Sequence, residues 1–130
     1  MKELWKVTFD EEAGSVVVRV AGKAAHADHE AAREEAVRLC REKKCPRLLV
    51  DLRDLTTTRS STLDCYSFGE SLAKTQPSLR IAHVLPTDAR SANDVRFTSN
   101  VAANRGKLTG EFNSIEEARQ WLLQNNNIKA

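Results

Sequence analysis

The sequence has few of the residues that mark extracellular, metal-binding or membrane-spanning proteins. Its three cysteines are an odd number, and the C-x4-C spacing of Cys40 and Cys45 fits neither a redox pair nor a common zinc site. We therefore expect free thiols, no metal and no cofactor. No apolar run approaches the ~20 residues that a membrane span needs, and the N-terminus carries Glu3 and no apolar signal segment. These absences predict a cytoplasmic protein.

Aromatic residues are also scarce, at 5%, and the 20 basic and 18 acidic residues leave a formal net charge of only +2. Nucleic acid and anionic membrane are therefore not expected as main partners, and peripheral contact with a membrane is left open. What is present is typical of a soluble globular protein: 41% hydrophobic and 29% charged residues in a chain of 130. This length predicts a single domain over residues 1–125, with a frayed polar tail over 126–130.

Two short alternating runs open the chain and predict an antiparallel hairpin. Trp5, Val7 and Phe9 alternate with polar residues. After a turn at Gly14, the segment SVVVRV places Val16, Val18 and Val20 on one face and Arg19 on the other. The first run would form an edge strand. Because exposed apolar edges tend to be covered or paired, its apolar face predicts a homodimer that buries Trp5 or the flanking strand.

Helical and extended patterns alternate over the rest of the chain. The first helix should run from Asp28, as its N-cap, to about Lys44, and the last should bury Trp121 and Leu122. The strands between the helices are RLLVDL, RIAHVLP and KLTGEF. The order β-β-α-β-α-β-α-β-α predicts an α/β fold: a single mixed, mostly parallel sheet of five strands with four helices and right-handed crossovers.

Four segments from Arg47 onward carry a resemblance to a known family: LLVDLRDLT, LRIAHVLP, NVAANRG and FNSIEEARQWL. In their order and spacing the chain resembles the sulfate transporter and anti-sigma factor antagonist (STAS) domain, most closely a sporulation-antagonist-like branch related in fold to CRAL-TRIO lipid-binding domains. The resemblance implies a right-handed superhelix and a serine, after the central strand, that a kinase phosphorylates. Ser60 takes that position, but Arg59 replaces the usual preceding aspartate and the following glycine is absent.

Six hydroxyl side chains crowd into residues 56–62, between a predicted strand and a predicted helix. Capping of the helix by Ser61 with Asp64 accounts for one or two of them. A solvated loop, an anion or ligand site and phosphorylation at Ser60 remain as alternatives for the others. Such a site would form where the carboxyl ends of parallel strands meet. Its candidate residues are Arg53, Asp54, Arg59, Ser60, Ser61, Thr62, Thr87, Asp88 and Arg90.

A small hydrolase or transferase that uses Cys65 and His83 is the alternative class. Cys65 falls in the first turn of a helix, whose dipole can lower the pKa of a thiol. However, Cys65 also lies on the apolar stripe, and His83 sits mid-strand between Ile81 and Leu85, where a histidine is usually a core residue. We expect no catalysis, although a cavity that reaches both side chains would favour it.

The two other histidines, His26 and His29, are expected at the surface of the first helix, and Asp51 and Asp54 are expected to cap or to pair with Arg53. The function expected from these patterns is a non-enzymatic binding or regulatory module. It would recognise a protein partner, or a small anionic or apolar ligand, at the loops after the central strands. A lipid-binding domain is a further alternative.

Overall fold

Five strands and four helices follow one another in the predicted order in a computed structural model of the chain, which describes residues 4–56 and 61–124. The strands are β1 (Trp5–Asp10), β2 (Ser15–Val20), β3 (Arg47–Asp51), β4 (Arg80–Val84) and β5 (Leu108–Phe112). The helices are α1 (His26–Glu42), α2 (Thr62–Ala73), α3 (Ala89–Asn104) and α4 (Ile115–Leu123). None of these helices is long and apolar enough to cross a membrane. The predicted frayed tail lies outside the described residues.

The strands form one mixed sheet in the order β1-β2-β3-β4-β5, with β1 antiparallel to β2 and the others parallel. The predicted α/β class and sheet composition are therefore confirmed. Successive side chains point to opposite faces of a strand. One face packs its apolar side chains with those of α1, and these include Val16, Val18, Leu48 and Ile81. The other face packs against α4 through Leu49, Ala82 and Val84.

The edge strand β1 does not expose a bare apolar face. Trp5, Val7 and Phe9 are half-buried and pack against the core that α1 covers. The Lys43 ammonium, near the end of α1, lies 5.5 Å from the centre of the Phe9 ring. The side chains invoked for a homodimer thus have partners within the chain, and the dimer stays a prediction.

The first helix starts two residues before Asp28, so the prediction that Asp28 is its N-cap is wrong. The N-cap is Ala25, which has no side-chain acceptor, and the Asp28 carboxylate accepts the Ala25 N–H at 2.8 Å from inside the first turn. The helix ends at Glu42 rather than Lys44. Lys44 adopts a left-handed backbone with φ 52°, which helix termination commonly uses.

The start of α2 and the end of α4 test two further predictions. Ser61 caps α2, and its hydroxyl and the Asp64 carboxylate each accept the other residue's backbone N–H, as predicted. Leu122 is buried, but Trp121 is only half-buried, so the prediction that both are core residues is wrong for Trp121. Its ring lies at the rim of the α4 interface, 5.5 Å from the Phe112 ring and 4.5 Å below the Arg80 guanidinium.

Candidate functional site

A cavity of about 80 Å³ lies between the sheet and the helices α1, α2 and α3. Most strand residues that line it belong to the carboxyl-terminal halves of β2, β3 and β4 or follow directly after them, as Val20, Leu52 and His83 do, whereas Leu48 lies near the start of β3. The residues that α1 contributes come from its first half, and those of α2 are spread along the helix. The cavity therefore opens at the edge where parallel α/β sheets place their binding sites.

The floor of the cavity is apolar apart from His83, and its other polar side chains come from the surrounding helices. The apolar lining consists of Val18, Val20, Ala32, Leu48, Val50, Leu52, Phe68, Leu72 and Val95. The lining side chains with polar or sulfur atoms are His26, His29, Arg33, Asp64, Cys65, His83, Asp94 and Thr98. A mostly apolar lining with a few convergent polar groups is the usual composition of a small-molecule site.

Cys65 and His83 both line this cavity, which is the arrangement that the enzyme alternative requires. The protonation of Cys65 opposes that alternative. Burial raises the pKa of the Cys65 thiol, a hydrogen bond with Thr98 offsets part of this rise, and the charges of Asp94 and Asp64 raise it further. The expectation that the helix dipole could lower this pKa is not met. A thiol that stays protonated is a poor nucleophile.

His83 is 4% exposed and faces α3 across the floor of the cavity. Burial lowers its pKa, while the Glu111 carboxylate and a backbone hydrogen bond with Gly110 act in the opposite direction. The ring is therefore neutral near pH 7. Its Nδ1 atom lies 3.4 Å from the Thr109 hydroxyl on the neighbouring strand β5. The prediction that His83 shares its side of the sheet with Ile81 and Leu85 is confirmed.

His26 and His29 form one wall of the cavity rather than the exposed surface that the sequence suggested. Both are half-buried, with their rings edge-on to the Phe68 ring at centroid distances of 6.2 and 6.3 Å. His26 also contacts Glu30 at 3.2 Å. Burial lowers the pKa of His29, the charge of His26 lowers it further, and Asp28 partly offsets both effects. The signal in the sequence was their spacing of three residues, which continues to the buried Ala32.

Arg33 continues the same wall one turn later. Its guanidinium donates to the Ser71 hydroxyl and lies 5.3 Å from the centre of the Phe68 ring. Glu34 is 3.6 Å from it. These contacts tie α1 to α2 over the cavity, so Arg33 closes the site at one side. Arg33 and Phe68 were not predicted as site residues, because neither belongs to a recognisable motif.

The predicted site residues lie at the same edge of the sheet, but none of those described lines the cavity. Arg53 forms a two-fold ion pair with Asp51, with both nitrogen–oxygen distances 3.0 Å, and Asp54 pairs with Arg19. The register places Arg19 and Asp51 side by side, on the face that packs against α4. Arg59 and Ser60, including the candidate phosphorylation site, lie outside the described residues.

The ion pair lowers the pKa of Asp51. Burial alone would raise this pKa, but hydrogen bonds from the Arg53 side chain and backbone outweigh that effect. The expected pairing with Arg53 is thus confirmed for Asp51, whereas Asp54 pairs with Arg19 instead. Because Asp51 already neutralises Arg53, this arginine has little attraction left for an anion.

The starts of α2 and α3 are exposed and carry their own carboxylates. Asp88 caps α3 by accepting the Ser91 N–H at 2.9 Å, and this bond lowers the pKa of Asp88. Thr87 and Arg90 flank it in solvent. At α2, the Asp64 carboxylate accepts the backbone N–H of the N-cap residue Ser61, and Thr62 follows as an exposed first residue. Both helix ends therefore hold a negative charge where an anion would otherwise sit.

A second, larger hollow of about 400 Å³ lies at the opposite edge of the sheet. Its lining includes the exposed Arg41, Lys44, Pro46 and Ser78, so it is part of the solvated surface.

The buried thiols of Cys40 and Cys45 form its inner wall, and the three cysteines are free. Within residues 4–56 and 61–124, no group of three or more His, Cys, Asp or Glu side chains could hold a metal ion.

The chain was compared with protein-family models and with curated proteins, and neither comparison finds a match.

Proposed function

We propose that this chain is a non-enzymatic binding domain for a small, largely apolar molecule that occupies the cavity beneath α2. The observation that carries the proposal is the cavity itself: it lies at the carboxyl edge of the parallel strands, has an apolar floor, and collects polar side chains from three helices. The resemblance to STAS domains stays a proposal of the same kind. The order of strands and helices along the chain, on which the resemblance rests, supports it.

The volume of the cavity favours a small ligand over a lipid. Pockets for drug-sized molecules begin at roughly 300 Å³, whereas this one holds about 80 Å³. An apolar cavity of about 150 Å³ is known to accept benzene. The buried part of a ligand here would therefore comprise roughly three to six non-hydrogen atoms.

A Cys65-dependent hydrolase or transferase is the second candidate, because Cys65 and His83 line the same cavity. Two contacts favour binding over catalysis. The thiol of Cys65 interacts with Thr98 and is kept protonated by burial and by two nearby carboxylates. His83 is held by Thr109 on the far side of the floor.

The binding proposal can be tested by NMR of methyl-labelled protein titrated with small organic compounds. The panel contains hydrocarbons, alcohols, amines and carboxylic acids with about three to six non-hydrogen atoms. Binding should shift the methyl signals of Val18, Val50 and Leu52. Inorganic phosphate serves as the comparison. The anion-site alternative expects it to shift the amides of residues 61–64, and the cavity proposal does not.

A pair of variants on neighbouring residues of α1 sharpens the test. Ala32 is buried and lines the cavity, whereas Ala31 is exposed. Ala32→Leu should fill the cavity and abolish binding of the panel, and Ala31→Leu, the same change one residue earlier, should leave it intact. If no compound shifts the cavity methyls at millimolar concentration, or if Ala32→Leu binds as the parent chain does, the proposal is wrong.

A further inference from the structure

The end of α1 brings the backbones of Cys40 and Cys45 together. The N–H of Cys45 donates to the carbonyl oxygen of Cys40 at 2.8 Å, and the N–H of Lys44 donates to that of Arg41 at 3.2 Å. Lys44 has a left-handed backbone, with φ 52°. Two such bonds around a left-handed residue form the Schellman motif, in which the side chains of the two residues joined by the longer turn commonly touch. Those two residues are here both cysteines.

The backbone hydrogen bond limits how far apart these two residues can be. A Cα atom lies about 2.4 Å from the oxygen of its own carbonyl group and about 1.5 Å from its own nitrogen. With 2.8 Å between that oxygen and that nitrogen, the Cα atoms of Cys40 and Cys45 are at most about 6.7 Å apart. Disulfides join residues whose Cα atoms are about 4.4–6.8 Å apart. The pair therefore meets the distance that a disulfide requires.

Both cysteines also line the same space, the hollow of about 400 Å³ at the opposite edge of the sheet from the cavity. The charge of Cys45 contributes to the raised pKa of Cys40, which agrees with their proximity. The Cys45 thiol donates to the carbonyl oxygen of Gly14 at 3.3 Å, and the Arg47 guanidinium donates to the same oxygen at 3.3 Å. Loss of the Cys45 proton therefore leaves the Gly14 oxygen with a donor.

The hollow determines which of the two thiols a reagent meets and which charge it prefers. Cys45 is 8% exposed and Cys40 only 1%, so a reagent that enters the hollow reaches Cys45 first. The charged side chains in its lining are those of Arg41 and Lys44, and none of the described residues that line it is acidic. Two positive charges attract an anionic reagent and repel a cationic one.

We propose that Cys40 and Cys45 form a reversible disulfide by exchange with a small anionic disulfide, such as oxidised glutathione, that enters this hollow. The site is separate from the cavity beneath α2 and does not depend on the proposed binding function. The C-x4-C spacing alone does not predict a redox pair, because it is the turn at Lys44 that brings the two residues together.

The exchange takes two steps. The Cys45 thiolate attacks one sulfur of oxidised glutathione, a bond from Cys45 to glutathione forms, and the S–S bond of the reagent breaks to release one glutathione thiolate. The Cys40 thiolate then attacks the Cys45 sulfur, which forms the disulfide within the chain and releases the second glutathione thiolate. The chain loses two electrons and two protons, and the two glutathione thiolates take up both protons. Burial, more than the charge of Cys45, raises the pKa of Cys40 to about 12, so the second step should be slow near neutral pH.

Incubation of the full chain with oxidised glutathione at about pH 8.5, where more thiolate is present, tests the site. The expected product is a chain lighter by two hydrogen atoms, in which peptide mapping finds Cys40 joined to Cys45 and Cys65 free. A glutathione adduct that persists on Cys45, a bond that includes Cys65, or an unmodified chain would overturn the proposal. The oxidised chain should also unfold at the same urea concentration as the reduced chain or at a higher one. An earlier transition would show that the disulfide distorts the fold, and the proposal would fail.

Three single variants separate the roles of the thiols. Cys40→Ser should stop at the glutathione adduct on Cys45, whereas Cys45→Ser should stay largely unmodified, because Cys40 is the less accessible thiol. Cys65→Ala, which removes the cysteine outside the hollow, is the control and should form the disulfide at the rate of the parent chain. If Cys45→Ser acquires glutathione on Cys40 as fast as the parent chain reacts, Cys45 is not the point of entry and the proposal is wrong.

The preference for an anionic reagent is tested with cystamine, a small cationic disulfide, at about pH 7.5. Oxidised glutathione is anionic there, because its carboxylates outnumber its ammonium groups. It should react severalfold faster than cystamine at low ionic strength, and this advantage should shrink at about 1 M salt, where charges are screened within ~3 Å. Arg41→Gln should reduce the advantage more than Arg38→Gln does, since Arg38 lies outside the hollow. A cystamine rate that equals or exceeds that of oxidised glutathione would overturn the assignment of an anionic reagent.

Discussion

Gly69 of α2 lies directly against the backbone of Thr98 of α3. A Cβ atom at Gly69 would come within 2.6 Å of the Thr98 carbonyl oxygen and within 2.7 Å of the Val101 Cβ atom. Such distances are shorter than van der Waals contact, so only glycine allows the two helices to approach this closely. Cys65, Phe68 and Leu72 of α2 line the cavity. The close approach of α2 to α3 therefore also determines how much space remains between α2 and the sheet.

The variant Gly69→Ala should destabilise the protein by about 1–3 kcal/mol, because α2 and α3 must move apart to admit the methyl group. The sign is informative, since alanine in place of glycine ordinarily stabilises a helix by roughly 1 kcal/mol. Urea unfolding followed by circular dichroism measures the change. Ser67→Ala, at an exposed position of the same helix, is the control and should change stability little. A Gly69→Ala protein at least as stable as the parent chain would show that the crossing can relax.

Adjacent leucines at the end of α4 separate the core from the surface. Leu122 is 1% exposed and packs against the sheet, whereas Leu123 is 54% exposed. Leu122→Ala should lower the free energy of unfolding by roughly 2–5 kcal/mol, and Leu123→Ala should change it by less than about 0.5 kcal/mol. Thermal and urea unfolding of the two variants measure the difference. Similar losses for both would contradict the placement of α4 on this face.

The cysteine thiols should react slowly with alkylating reagents. Burial raises the pKa of Cys65, and burial together with Cys45 raises the pKa of Cys40 to about 12. Since the thiolate is the reactive form, iodoacetamide at pH 8 should modify both residues much more slowly than it modifies glutathione. Peptide mapping by mass spectrometry reports each site separately.

The rate at Cys65 also decides between the two candidate functions. A nucleophilic cysteine would react faster than glutathione at neutral pH, which would favour the enzyme over the binding domain. Unfolding in guanidinium provides the control, because it should raise the rates at Cys40 and Cys65 to those of free thiols.

Local patterns in the sequence predicted the sheet and its helices because those patterns have a local physical cause. The alternating valines of β2 predicted which side chains face the core, and Ser61 with Asp64 predicted the start of α2. The start of α1 was misjudged for a related reason. Asp28 does satisfy a helix-start N–H, but it does so from inside the helix, and the sequence gives the same signal for both positions.

The cavity was beyond prediction because it depends on how three helices pack over one sheet. No local pattern reports that side-chain volumes leave about 80 Å³ unfilled beneath α2. The same holds for the contact between His83 and Thr109, which joins side chains of two neighbouring strands. The inward-facing side of α1 could nevertheless be predicted from the sequence. His26 and His29 precede the buried Ala32 at three-residue intervals, which places them on the inner face of the helix.

The buried histidines should make the protein less stable in mild acid. Burial lowers the pKa of His83 below its ordinary value of 6.5, despite the nearby Glu111 charge. Below pH 6.5, His83 becomes protonated in the unfolded chain but stays neutral in the folded state. The free energy of unfolding should therefore fall as the pH drops from 6.5 toward the folded-state pKa, by up to about 1.4 kcal/mol per pH unit for one histidine.

Urea titrations between about pH 6.5 and 5 test this, because most carboxylates titrate at lower pH. His83→Gln removes the proton uptake, so its stability should depend less on pH than that of the parent chain, whatever its absolute stability. His29→Gln should flatten the dependence in the same sense, because burial and the charge of His26 lower the pKa of His29, with Asp28 as a partial offset. If His83→Gln keeps the full slope of the parent chain, then folding does not lower the pKa of His83.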